Sequence, residues 1–345
     1  MKKGAWVKRT LIAVLSTAFV LTAAGCGAPS SGGGSQSADS GEPIILKFSH
    51  VTTAESPKGK AAEKFAELAA QKTNNRVKVE VFPSSQLYGD KDEMDALQAN
   101  NVQMVAPSVT KLVGFVPSFQ IVDLPFLFNG REAVLQFWDG DLGKKLMSSL
   151  EPQGILGLAM WENGFKNFTN NKHPLKRPED FNGLKFRTQA GKVLEAQFTA
   201  LGAGAATIPF GETYTALQQG TVDGQENTFN NIDTQKYAEV QKYLTVSQHG
   251  RLDYVVLVNK SFWDGLPEDI RKALEEAMKE ATEYERQLAA ELDQQSFENL
   301  KKAGMEVTEL TPEDRAAFQK AFEPVYTEFA EVIGQEYIDG VKALK

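Results

Sequence analysis

The side chains best able to do chemistry in this chain are cations. Arg187 ends the run Leu184-Lys185-Phe186, and Lys166 ends Trp161-Glu162-Asn163-Gly164-Phe165. A guanidinium is a planar fork that matches a carboxylate with two parallel hydrogen bonds. In open α/β sheets, ligands bind beyond the carboxyl ends of the strands, where Arg187 would lie if Leu184 to Arg187 is a strand. Taken alone, Arg187 also fits a surface ion pair, Lys166 a solvated amine and Asn227, after Gly224-Gln225-Glu226, a turn residue. The remaining chemistry is sparse. His50, His173 and His249 are far apart, with no second ligand at metal spacing. The only cysteine, Cys26, belongs to the N-terminal segment. No phosphate-cradling glycine loop follows a strand, and there is no nucleophile elbow. Enzymatic chemistry, a metal and a cofactor are therefore not expected. Binding of an anion is.

The elements that must position these cations alternate. Ile44 to Phe48 reads as a strand, Pro57 to Lys72 as a helix with Ala62, Phe65, Ala66 and Ala69 at helical spacing, and Val77 to Val81 as a strand. A helix over Lys91 to Gln98 and a strand over Val102 to Ala106 complete a β-α-β pattern, which predicts a mostly parallel sheet. A second series holds strands at Gly154–Trp161 and Leu184–Arg187, helices at Lys192–Leu201 and Thr213–Gln219, and a strand ending at Glu226-Asn227. Lys166 falls just after the first of these strands, where Gly164 lends backbone freedom. Tyr254 to Val258 is apolar throughout, as a strand covered on both faces is. From Pro267 to Gly304 no Gly or Pro interrupts a helical pattern of roughly 36 residues, about 54 Å, longer than one lobe is wide. This predicts a helix crossing between two lobes; the alternative is two helices broken near Gln294–Ser296. Thr311, Pro312 and Asp314 mark another helix start.

The chain has 345 residues. Lys2, Lys3, Lys8 and Arg9 precede an apolar run from Leu11 to Leu21, which shrinks to Ala23-Ala24-Gly25-Cys26. This pattern describes an export signal, and the residues before cysteine resemble a lipobox that leaves a lipid on Cys26. The alternative is an ordinary cleaved signal with an incidental cysteine. Gly27 to Gly41, nearly all Gly, Ser, Ala and Pro, reads as a flexible tether. Without the four leader cations, 33 basic residues face 45 acidic ones, a net of −12. So acidic a body argues against nucleic acid as partner. The expected organisation is a signal over 1–26, a tether over 27–43, lobe I from 44–163 plus 254–285, and lobe II from 164–253 plus 286–345. Two α/β lobes, a spanning helix and an external tether together suggest a monomeric binding protein that closes on a ligand in the cleft.

Several segments resemble the DctP-type solute-binding proteins of TRAP (tripartite ATP-independent periplasmic) transporters. They are Phe48-Ser49-His50-Val51, Phe82-Pro83-Ser84-Ser85-Gln86-Leu87, Gly183 to Arg187, Val222 to Asn227 and Val240 to Tyr243. The resemblance implies a periplasmic-binding-protein-like fold with a long helix spanning both lobes. It implies that Arg187 clamps a ligand carboxylate, that Asn227 lies in the site and that Phe210 contacts the ligand. Ser56-Pro57-Lys58-Gly59, Ala106-Pro107-Ser108 and the Trp161–Lys166 string resemble the C4-dicarboxylate branch; sialic-acid binders have a second arginine where this chain has Lys166. A dianion needs positive charge at both ends. Lys166 and Lys58 are the cations for the second carboxylate, with Ser108, His50 and Asn163 as lesser candidates. The implied partners are an organic-acid anion, a membrane permease and, through the lipid on Cys26, the outer face of the cytoplasmic membrane. Other ligands of the same architecture, a sugar acid or a 2-oxo acid, and a sensor role stay open.

Overall fold

The computed structural model describes residues 41–344; the signal, Cys26 and most of the tether lie outside them. Nine strands form one sheet: β1 (Ile44–Ser49), β2 (Val77–Phe82), β3 (Met104–Val105), β4 (Ile155–Asn170), β5 (Lys185–Thr188), β6 (Gly204–Thr207), β7 (Gly224–Asn227), β8 (Tyr243–Asn259) and β9 (Glu306–Glu309), in the order β2-β1-β3-β8-β4-β7-β5-β6, with β9 also on β8. The two ends of this order are the parallel sheets of the two lobes, β2-β1-β3 and β7-β5-β6.

The centre departs from the expected mostly parallel sheet. β4 and β8 pair antiparallel along almost their whole length and run from one lobe into the other. The segment expected to leave the strand after Trp161 stays in it, so Asn163, Gly164 and Lys166 are mid-strand residues. That expectation fails because the pairing absorbs the segment's irregularity as register slips, one between Glu162 and Gly164 and another between Lys166 and Phe168. Gly164 is required at the first: its φ is +145°, and a Cβ there would lie 3.3 Å from the Asp293 carboxylate.

One unbroken helix, Glu268–Lys302, spans the lobes with Ser296 buried in it, so the break near Gln294–Ser296 does not occur. Its 35 residues extend about 52 Å, and the 16 residues of β4 about 53 Å. The helix packs along both β4 and the helix Pro57–Lys72. Ile270, Leu274, Ala277, Met278 and Ala281 bury themselves in the first lobe's core with Phe48, Phe65 and Val256, while Leu300 joins Phe229, Ile232 and Tyr237 in the second. The C-terminal helices are not confined to one lobe: Glu323–Ile333 lies against both the helix Lys192–Ala200 and the turn Pro117–Asp123, and Gln335–Lys342 lies on Arg131–Asp139. Pro57–Lys72 starts where expected, with the Ser56 hydroxyl accepting from Gly59 N, and Thr311 caps its helix through a reciprocal pair with Asp314. Among the described residues no helix is long and apolar enough to cross a membrane.

Candidate functional site

β5 and β7 lie side by side and parallel, with Arg187 in register with Gln225. Side chains alternate along a strand, so Asn227 projects to the same face as Arg187, and Glu226 to the other. The Arg187 side chain is buried, its Nε donates to Ile208 O at 2.9 Å, and its Nη2 has no protein partner. Among the described residues no carboxylate forms an ion pair with it. Burial holds this guanidinium below its ordinary pKa, against the pull of Tyr237, Asp90 and Glu226. Asn227 Oδ1 accepts from Asn231 Nδ2 at 2.8 Å, while its own Nδ2 has no partner. Arg187 and Asn227 thus supply buried, unused donors, a set that suits an anion.

Asn231, the partner of Asn227, lines a narrow cavity between the lobes. Thr52, Glu93, Ser108 and Tyr254 line it from the first lobe, and Gln189, Phe210 and Asn231 from the second. Ser108 Oγ donates across it to Gln189 Oε1 at 3.1 Å, and Phe210 N donates to Asp90 Oδ2 at 3.3 Å. Asp90 is also paired with Lys111 at 2.8 Å. Pro209 precedes Phe210, so that ring enters the cavity directly after β6 and its turn. Asn163, in the middle of β4, joins the two lobes: its Oδ1 accepts from Thr228 Oγ1 at 2.6 Å, and its Nδ2 donates to Asn231 and to the Tyr254 hydroxyl.

Lys58 and His50 form the layer behind. Lys58 is fully buried, donates to Ala106 O at 2.8 Å and rests 3.5 Å above the Tyr254 ring. His50 is neutral, lowered to about 3 by burial and by Lys58, and its Nε2 has no partner.

Lys166 is placed differently from the expectation. It is buried on the Glu226 face, away from Arg187, with Nζ 2.7 Å from Glu226 Oε1 and 3.7 Å from Asp123 Oδ1. His249 Nε2 and Gln197 Nε2 donate to the other Glu226 oxygen at 2.7 and 2.5 Å. Burial lowers His249, so its ring is neutral, with Ser247 bonded to Nδ1. Burial works against charge on Glu226, but Lys166 and His249 outweigh it and hold the carboxyl well below its usual range. The Lys166 charge is therefore spent inside the protein, in a cluster that braces β4, β7 and β8 together.

Residue reasoning missed Glu93, Gln189, Asp90 and Tyr254. Gln189 lies two residues after Arg187, and a same-face reading beyond the strand end would have found it. Glu93 falls in the expected helix Lys91 to Gln98, and no local pattern marks it.

A larger groove lies elsewhere, between Trp138–Ser148, Gly157–Met160 of β4 and Glu275–Arg286 of the spanning helix. Its arginine, Arg286, is already held by both Asp139 oxygens at 2.7 and 2.8 Å. That pair neutralises the groove's guanidinium, whereas Arg187 has no carboxylate partner among the described residues and a buried Nη2 without a hydrogen bond.

The sequence profile of the DctP group, bacterial extracellular solute-binding protein family 7, matches residues 48–332. The chain belongs to the DctP family. It is 52% identical over 304 residues to the C4-dicarboxylate-binding periplasmic protein DctP of Rhodobacter capsulatus, covering 88% of this chain and 91% of that protein. A TRAP periplasmic solute-binding protein from Shewanella oneidensis with bound succinate superposes with a TM-score of 0.86 at 42% identity, over 88% of this chain and 99% of that one. The sugar acid binding protein DctPAm from Advenella mimigardefordensis, in complex with galactonate, gives 0.85 at 33% identity, over 87% and 97%. DctP proteins are solute-binding receptors, and the two-lobed mixed sheet of this chain is the fold of the solved TRAP receptors.

Proposed function

We propose that this DctP protein is the extracytoplasmic receptor of a TRAP transporter, capturing a C4-dicarboxylate of the succinate, malate or fumarate type and delivering it to the membrane permease. The observation that carries this is Arg187, a buried guanidinium with a free Nη2 on the same sheet face as the free Nδ2 of Asn227. A desolvated cation is costly without a partner, and a ligand carboxylate meets that need. The second carboxylate is assigned to Lys58, the buried amine behind the Tyr254 ring of the cavity wall, with Ser108, His50, Asn163 and Phe210 as the further ligand-facing candidates. Lys166 is withdrawn from this role because its charge is occupied. The lobes close about the crossings of β4 and β8, where the register slips.

Titration calorimetry against succinate, malate, fumarate and galactonate tests the assignment. Tight binding of the diacids and weak binding of galactonate is expected; the reverse order would establish the sugar-acid reading, which the polar wall of Gln189 and Asn231 favours. The lipid anchor rests on the lipobox-like Ala23-Ala24-Gly25-Cys26, which lies outside the described residues. Cys26→Ser should release the protein from the membrane fraction. A tethered receptor gains local concentration at its permease.

A further inference from the structure

Glu93 opens the short helix Glu93–Gln98, and its side chain is fully buried on the cleft wall. Neither carboxyl oxygen has a hydrogen-bond partner among the described residues. The cations that face it are engaged elsewhere: Lys58 with Ala106 O and the Tyr254 ring, Lys111 with Asp90. The other titratable groups around this corner are Asp90 on the loop before it, Glu285 on the spanning helix, Tyr254 on β8 and the neutral His50 just after β1. An ionised carboxylate with no donor on either oxygen is unfavourable in such a place, and keeping a proton is the cheaper state. Burial accordingly raises Glu93 to about 7, opposed by Lys58 and aided by Asp90. Burial lowers Lys58 to about 7, opposed by Glu93, Asp90 and Glu285. The two groups share their protons as a pair.

We propose that Glu93 is a specificity residue of the cleft that meets the second carboxylate of a bound diacid as the neutral acid, donating a hydrogen bond to it, so that capture takes up a proton. This rests on the dicarboxylate reading above. An ionised Glu93 would repel the incoming carboxylate across the narrow cavity. The neutral acid donates to it instead and leaves the Lys58 charge for the ligand. The proton comes from solvent and stays on the Glu93 carboxyl while the cleft is closed.

The test is calorimetry of the full-length protein with succinate in buffers of different ionisation heat, joined to infrared difference spectra of binding. The wild type should take up part of a proton near neutral pH, and its affinity should weaken by up to about tenfold per pH unit above that range. Binding should also strengthen the carbonyl stretch of a protonated carboxylic acid. Glu93→Gln is isosteric with the neutral acid and keeps a donor, so it should fold, bind within a few-fold of wild type and lose that band. Lys58→Met removes the cation that opposes the Glu93 proton, so it should bind more weakly and take up less proton on binding near neutral pH. Succinate binding without proton uptake, or a band that survives in Glu93→Gln, overturns the Glu93 proposal alone. Failure of succinate, malate and fumarate to bind at any pH overturns the dicarboxylate reading and this one with it.

Discussion

Replacing Arg187 with methionine should move affinity and stability in opposite directions. The guanidinium gives the protein one visible hydrogen bond, to Ile208 O, worth about 1 kcal/mol. Against that stands a charge taken out of water with no carboxylate beside it, and replacing a desolvated ion by an apolar side chain of similar length is often neutral or stabilising. Arg187→Met should therefore leave the midpoint of ligand-free unfolding unchanged or raise it. Toward ligand the account reverses. Two charge-assisted bonds to a carboxylate at about 1.5–3 kcal/mol each make a loss of roughly 3–6 kcal/mol, and at 1.4 kcal/mol per tenfold the dissociation constant should rise by about 10²- to 10⁴-fold. Thermal unfolding with and without succinate reads both quantities. A ligand at 100 times its dissociation constant adds about 2.7 kcal/mol, and that increment should vanish in the variant. If the variant is instead destabilised by several kcal/mol while still binding succinate, Arg187 is structural and the site reasoning fails.

Lys166→Met should cost about 3–5 kcal/mol of stability, because Glu226 is left ionised beside a neutral His249. The preference for dicarboxylates over monocarboxylates should not change, and a lost preference in calorimetry would return Lys166 to the ligand. Glu285 is fully buried, accepts from Glu162 N at 2.9 Å, and is raised well above 4.5 by burial. An acid raised in the folded state binds its proton more tightly there than when unfolded, so stability falls as pH rises from the ordinary carboxylate range into the neutral one. Glu285→Gln should flatten that decline in a pH series of denaturant unfolding; an unchanged slope would rule Glu285 out as its source. Gly224→Ala would put a Cβ 2.2 Å from Thr169 O and 2.7 Å from the Phe186 ring. The cost should be about 3 kcal/mol or more, read as a lowered unfolding midpoint with Arg187 and Asn227 displaced.

Much was legible in local pattern. The helix Pro57–Lys72 and the uninterrupted run after Pro267 announce themselves through caps, periodicity and the absence of breakers, which are properties of a few adjacent turns. The membership in the DctP family was legible in short segments, and the candidacy of Arg187 in its place at a strand end. The long strand β8 was only half legible. Its Tyr254–Val258 end is apolar on both faces, whereas Thr245, Ser247, His249, Arg251 and Asp253 alternate with Leu244, Val246 and Leu252, a period that polar residue types disguised. What tertiary structure alone decided is which charges are spent. Lys166 and Lys58 look alike in the sequence, and both are buried in the fold. Pairing in the sheet brings Glu226 to Lys166, while no carboxylate ion-pairs with Arg187 or Lys58 among the described residues. A charge is available to a ligand only if no neighbour neutralises it, and those neighbours come from strands and helices distant in sequence.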